Sequence, residues 1–171
     1  MTWPNDPNFS DINDSDYKSQ ILEHLDKEIE LEPHNKRNYF LRGNAYLDKG
    51  ANEAAARDYT KVIQLDPKDA VAFNNRGICY RNSAQTEKAI IDYETALALD
   101  SEYRDAYNNL GMAYADKEEY TSAIENYTKA IALDEQYWYA FSNRGMALWA
   151  IGDRDSAIKD YETAKKLLTG S

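Results

Sequence analysis

Residues 104–137 read RDAYNNLGMAYADKEEYTSAIENYTKAIALDEQY, and the spacing inside this stretch decides the fold. Tyr107, Leu110, Gly111 and Tyr114 recur at three- and four-residue steps, and so do Ala123, Ile124, Tyr127, Ala130 and Ile131. Each set is the apolar stripe of one amphipathic helix, because a helix turns once in about 3.6 residues. The polar run Asp116-Lys117-Glu118-Glu119 separates the two sets. The stretch is therefore two helices joined by a short break, and nothing in it alternates with the period of two that a strand requires.

The same pattern recurs on both sides. Glycine stands at Gly43, Gly77, Gly111 and Gly145, each 34 residues from the next. Four residues before each glycine the column is aromatic: Tyr39, Phe73, Tyr107 and Phe141. Three residues after it come Tyr46, Tyr80, Tyr114 and Leu148. Further on come an alanine column, Ala55, Ala89, Ala123 and Ala157, and a tyrosine column, Tyr59, Tyr93, Tyr127 and Tyr161. Gly50 and Gly152 fall in the polar break, where a turn residue belongs, and Asp66-Pro67 closes the first unit. Glycine within a helix costs about 1 kcal/mol against alanine, so its repetition demands a repeated return. The expected return is close approach of the partner helix, with the alanines as the matching flat spot and the aromatic rings filling the gaps beside it.

Tyr39-x2-Arg42-Gly43-x2-Tyr46, then Ala55-x3-Tyr59, then Pro67 resembles the tetratricopeptide repeat pattern, and the match runs over residues 36–169. Ser101, Glu135 and Thr169 replace the closing proline, and Leu148 replaces a tyrosine. The resemblance implies an all-α fold, a right-handed superhelical solenoid of antiparallel helix pairs. It divides the chain into an irregular acidic segment at 1–15, a capping helix from a degenerate repeat at 16–35, and four repeats at 36–69, 70–103, 104–137 and 138–171. Trp3 and Phe9 in the first segment are expected to fold back over the helix end.

One pair of columns covaries inside the chain. Arg42, Arg76, Leu110 and Arg144 are followed sixteen residues later by Asp58, Asp92, Asn126 and Asp160. Arginine goes with aspartate, and the one leucine with the one asparagine. This predicts arginine–aspartate pairs joining the two helices of a repeat, each arginine burying its stem and keeping its head near a carboxylate. As exposed pairs worth about 0–1 kcal/mol they would set register more than stability. An anion site is the alternative use of such arginines. At the far end, the inward column Ile63, Leu97, Ile131 switches to Lys165, as a solenoid's capping repeat requires.

The family resemblance also implies which positions face the concave groove. From them come two features. Asn75, Asn109 and Asn143 form a ladder backed by Asn44, Asn74 and Asn108, and an amide that both donates and accepts suits an extended peptide backbone. Beside it runs an apolar track of Phe40, Leu41, Ile78, Met112, Tyr139, Met146 and Trp149, part of which is expected to pack between repeats. Asn44, Asn75, Ile78, Asn108, Asn109, Met112, Tyr139, Asn143, Met146 and Trp149 are therefore the candidate peptide-binding residues. Chaperone-binding members clamp a C-terminal carboxylate with lysine, asparagine and arginine at fixed positions, and here the lysines and arginine are missing. Those positions hold Phe40, Asn44, Asn75, Asp105 and Asn109, which argues against a heat-shock-protein tail as ligand.

Composition narrows the function further. The net charge is -10, and residues 1–35 carry nine acids against two bases, whereas nucleic-acid binding needs a basic face. The acidic start reads either as a solvated leader or as an arm for a basic partner. No run approaches the ~20 apolar residues of a membrane span, and the N-terminus has no leader pattern. Cys79 is the single cysteine, and with His24 and His34 it makes no nucleophile–base pair or metal spacing. The reading is a cytoplasmic, non-enzymatic interaction scaffold without cofactor, taking a protein or peptide ligand in its groove. The alternative is a structural protein that self-associates through its array ends.

Overall fold

The computed structural model describes residues 14–170, with side chains from Ser19 onward. The described residues form nine helices and no strand. They are α1 (Asp14–Leu31), α2 (Lys36–Asp48), α3 (Asn52–Leu65), α4 (Ala70–Asn82), α5 (Thr86–Leu99), α6 (Arg104–Asp116), α7 (Tyr120–Leu133), α8 (Trp138–Ala150) and α9 (Arg154–Thr169). The leader, with Trp3 and Phe9, lies outside the described residues except for its last two positions, where α1 has already begun.

Each helix starts and stops for local reasons. The side chains of Asn35, Asp69 and Asp153 accept from the backbone N–H of Arg37, Ala72 and Ser156, capping α2, α4 and α9. The second helices stop at Asp66, Asp100 and Asp134, all extended. There the carboxylates accept from the N–H two residues on, of Lys68, Glu102 and Gln136. This aspartate turn closes the unit with or without proline, so Ser101 and Glu135 are tolerated after it. Inside each pair the turn passes through one left-handed residue at a fixed column: Gly50, Ala84, Glu118 and Gly152, with φ of 72°, 56°, 61° and 89°. Only the outer two are glycine.

Consecutive helices pack on one another, and in addition α4 touches α6 and α6 touches α8. The first helices of the pairs (α2, α4, α6 and α8) therefore make the closer, inner layer, and α3, α5, α7 and α9 the outer one. That is the geometry of a curved solenoid with its concave side lined by first helices.

The glycine column does mark close approach, but the partner differs from the one expected. A Cβ on Gly77 or Gly111 would stand 2.6 Å from the ring of Tyr93 or Tyr127, and one on Gly43 or Gly145 would stand 3.0 Å from Tyr59 or Tyr161. The glycine makes room for a tyrosine ring of the second helix, and at Gly145 for the backbone oxygen of Ala157 as well. The alanines Ala55, Ala89, Ala123 and Ala157 are wholly buried beside that contact. Ring and glycine thus form one lock, repeated four times.

The arginine–aspartate pairs form as expected, with more burial than an exposed pair. Arg42, Arg76 and Arg144 each donate through Nε and Nη2 to both carboxylate oxygens of Asp58, Asp92 and Asp160, at 2.7–2.8 Å. All three aspartates are buried. Hydrogen bonding to Asp58 and to Asp92 raises the Arg42 and Arg76 guanidinium pKa values above their already high norm. The remaining Nη1 reaches back to the previous second helix, to Asp26, Thr60 and Thr128 respectively. Each arginine is thus a staple across two repeats. In the third repeat Leu110 packs with Ala89 and Tyr93 instead, and Asn126 donates to the backbone oxygen of Ser122. Asp26 takes part in the first staple and the buried Leu25 stands in the Tyr59 column, so α1 is in register with the second helices.

Candidate functional site

The inner face presents the asparagines in two tiers. Asn74 and Asn108 are buried, while Asn75, Asn109 and Asn143 are half-buried. Asn109 donates to the Oδ1 of Asn74, and Asn143 to the Oδ1 of Asn108, both at 2.9 Å. Asn75 accepts from Asn74 and donates to Asn44 at 3.5 Å. The ladder therefore stitches neighbouring repeats. Asn108 supports it from behind, its own Nδ2 donating to the Met112 sulfur. Asn109 and Asn143 each give one amide hydrogen to the ladder, which leaves an oxygen and a second hydrogen outside these bonds.

Asn44 is also committed, accepting from the Tyr59 hydroxyl at 2.7 Å. One repeat on, Ile78 occupies the equivalent position and offers no acceptor. The Tyr93 hydroxyl is accordingly buried without a hydrogen-bond partner among the described residues. Burial pushes the phenol pKa values of Tyr59 and Tyr93 well up, so both stay protonated. Asn38 is a second buried orphan, its amide nitrogen lying in a column that holds Ala72, Ala106 and Ala140 elsewhere.

The apolar track divides along the array. Phe40 packs edge-on to Tyr59, Ile78 joins the cluster of Tyr93 and Leu110, and Met112 joins that of Tyr127 and Ala147. The Phe40–Tyr59 contact lies within one repeat, while Ile78 and Met112 belong to clusters that reach the next one. On α8 the picture changes: Tyr139, Met146 and Trp149 are 53%, 55% and 49% exposed. Residues at i, i+7 and i+10 share one side of a helix, so the three lie on one side of α8, with Ser142 and Asn143 on the turn between Tyr139 and Met146. Leu41 is also exposed, alone on α2.

Three residues at this face, Tyr103, Tyr137 and Trp138, were not singled out by sequence. Tyr103 and Tyr137 precede α6 and α8 at the column where Asn35 and Asp69 act as caps. They make no cap, and their rings lean along the inner layer instead. Tyr103 meets Asn74, and burial pushes its phenol pKa up to about 12. The Tyr137 ring lies under the Arg104 guanidinium, 4.1 Å from centroid to Cζ. Trp138 stacks on Tyr139 at 3.6 Å. An aromatic residue where a cap belongs was the available signal. Arg81 donates from Nε and Nη2 to Asp116, tying α4 to α6. Asp105 accepts from Arg104, so the anionic position of the former clamp column is already engaged.

Cys79 is buried, and burial pushes its thiol up to about 12, where it packs as a small apolar group rather than a nucleophile. No described helix is long and apolar enough to cross a membrane.

A family model described as "TPR repeat" matches residues 43–83, 80–117 and 111–152, and one described as "Tetratricopeptide repeat" matches residues 139–167. A crystal structure of MamA is similar with a TM-score of 0.80 and 27% identity, covering 93% of this chain and 96% of that one. The first TPR of Spaghetti (RPAP3), solved bound to the HSP90 peptide SRMEEVD, is similar with a TM-score of 0.66 and 25% identity over 68% of this chain and 92% of that one. YrrB, described as a TPR protein with an unusual peptide-binding site, shares the fold at 20% identity, with a TM-score of 0.72 over 90% of this chain and 79% of that one. Among curated proteins none matches.

Proposed function

The chain belongs to the tetratricopeptide repeat family, and from that premise we propose that it is a protein-interaction module holding an extended segment of a partner protein in its concave groove. The observation that carries the reading is the exposed stripe of Tyr139, Met146 and Trp149 on α8. Three large apolar side chains exposed on one side of an inner helix are unusual for a solvated surface and support an interaction site. Aromatic residues anchor partners by burying area at low entropic cost, and methionine adapts its shape to what arrives.

The stripe supplies affinity and the ladder supplies direction. Asn109 and Asn143 present amide oxygens and hydrogens at a spacing fixed by the ladder bonds, which suits the alternating N–H and C=O groups of an extended backbone. Asn44, Asn75, Asn108, Ile78 and Met112 hold this arrangement in place. Peptide capture on this fold has a precedent in the Spaghetti (RPAP3) domain bound to an HSP90 peptide. The clamp positions here hold Phe40, Asn44, Asn75, Asp105 and Asn109, so the proposed ligand is an internal apolar segment and not an acidic C-terminal tail.

Selection from a displayed library of random peptides tests the reading. Binders should emerge, and their affinity measured by calorimetry should fall at least tenfold in the Tyr139→Ala, Trp149→Ala double variant with circular dichroism unchanged. Binders that hold the parent and the variant equally would refute the groove assignment.

A further inference from the structure

Asn75 bonds to Asn44, Asn109 to Asn74 and Asn143 to Asn108, so the ladder ties α2, α4, α6 and α8 side by side at one level. One helical turn before that level the same four helices carry Leu41, Val71, Asp105 and Tyr139. Positions three or four apart lie on one side of a helix, so this row runs beside the ladder across the inner layer.

The row is not uniform. Leu41 is 40% exposed, Val71 42% and Tyr139 53%. Asp105 stands between the last two, its Oδ1 holding Arg104. Among the described residues α6 exposes no large apolar side chain at all. A single exposed leucine or valine on a surface is ordinary, but here two neighbouring inner helices each expose one, in the row that ends on Tyr139.

The spacing of the helices sets what can lie along the row. Packed helices stand about 8–10 Å apart, so α4 and α8, with α6 between them, are about 20 Å apart and α2 about 10 Å further. An extended chain advances about 3.3 Å per residue and turns alternate side chains to opposite faces. A segment on the row therefore meets Tyr139 with one side chain and Leu41 and Val71 with another about six to eight residues away. An even separation keeps both on the face turned to the groove.

We propose that Leu41 and Val71 form a second apolar seat for the partner segment, at the opposite end of the row from Tyr139. The ligand is then an extended stretch with two bulky apolar residues at that spacing and polar residues between them. An apolar residue over Asp105 would take water from the carboxylate and return no bond. This seat rests on the groove assignment and adds to it a ligand pattern that the side chains of α8 alone do not specify.

Peptides selected from the displayed random library on the parent chain are the probe. Their sequences should share two bulky apolar residues at the stated spacing. In calorimetry the Leu41→Ser, Val71→Ser double variant should bind them about tenfold more weakly. Ile91→Ser, which alters an exposed apolar residue of the outer helix α5, should bind as the parent does. Two Gly-Ser pairs inserted between the anchors of a selected peptide should weaken its binding to the parent about tenfold and leave its residual binding to the double variant unchanged. An unfolded variant would not give that coupling. Binders that need Tyr139 and Trp149 but are indifferent to Leu41, Val71 and the inserted pairs would overturn the second seat and leave the groove assignment standing. Binders indifferent to both ends, or no binders, would overturn the two together. A change in the sedimentation of the protein alone in the double variant would give the seat to a second copy and overturn it likewise.

Discussion

The second and third repeats share one lock and differ in their staple. In both, a helix glycine receives a tyrosine ring at the same distance, Gly77 with Tyr93 and Gly111 with Tyr127. The second repeat adds Arg76, bound to Asp92 and reaching back to Thr60. The third replaces the set with Leu110 and Asn126, which pack and bond within their own surroundings. The lock is common to all four repeats. The staple is interchangeable with plain apolar packing, since a buried ion pair gains little over well-packed apolar groups of similar volume.

Breaking the staple from one side should have the largest effect. Asp92→Ala strands the Arg76 guanidinium and should cost about 3 kcal/mol, whereas Asn126→Ala should cost about 1 kcal/mol, both read by urea denaturation. A result in which the two variants lose equal stability would show that the staple carries no buried charge. Next comes the lock: Gly111→Ala drives a methyl into the Tyr127 ring and should cost about 2 kcal/mol despite alanine's better helix propensity. Its thermal midpoint should recover in part when Tyr127 is also reduced to leucine. A smaller contrast concerns the hydroxyls. Tyr59→Phe removes a bond to Asn44 and should cost about 1 kcal/mol, while Tyr93→Phe deletes an orphan and should be neutral or slightly stabilising by the same assay. The smallest effect is expected from converting the second repeat to the chemistry of the third. The Arg76→Leu, Asp92→Asn pair should stay within about 1 kcal/mol of the parent, and a much larger loss would make the staple essential where it occurs.

The period and the helix pairs were legible in the sequence because glycine, alanine and tyrosine recur at positions set by backbone packing. The arginine–aspartate pairing was legible because the chain varies it once, at Leu110 and Asn126. Its third arm was not picked out, although Asp26, Thr60 and Thr128 stand in one column sixteen residues before the arginines. Polar contacts between repeats join different rows of the pattern, so they leave no mark inside a single unit. The asparagines show the limit most clearly. Asn74 and Asn75 are neighbours of identical chemistry, yet one is buried and the other half-buried, and only the rotation of α4 against α6 separates them. The apolar track had the same ambiguity. Met112 and Met146 occupy one column, yet Met112 packs into the cluster of Tyr127 and Ala147 while Met146 is exposed, and residue type alone does not separate them.

The left-handed turn inside each helix pair is a conformation that residues with a side chain adopt at a cost, and two of the four pairs bear it. Ala84 and Glu118 sit where Gly50 and Gly152 sit in the outer pairs, with positive φ and a Cβ that opposes it. Glycine at either middle position should raise the melting temperature by relieving up to about 1 kcal/mol of torsional strain, while leaving every interhelical contact unchanged. The array thus holds stability in reserve at two connectors, retrievable by changing the bend and not the helices it joins.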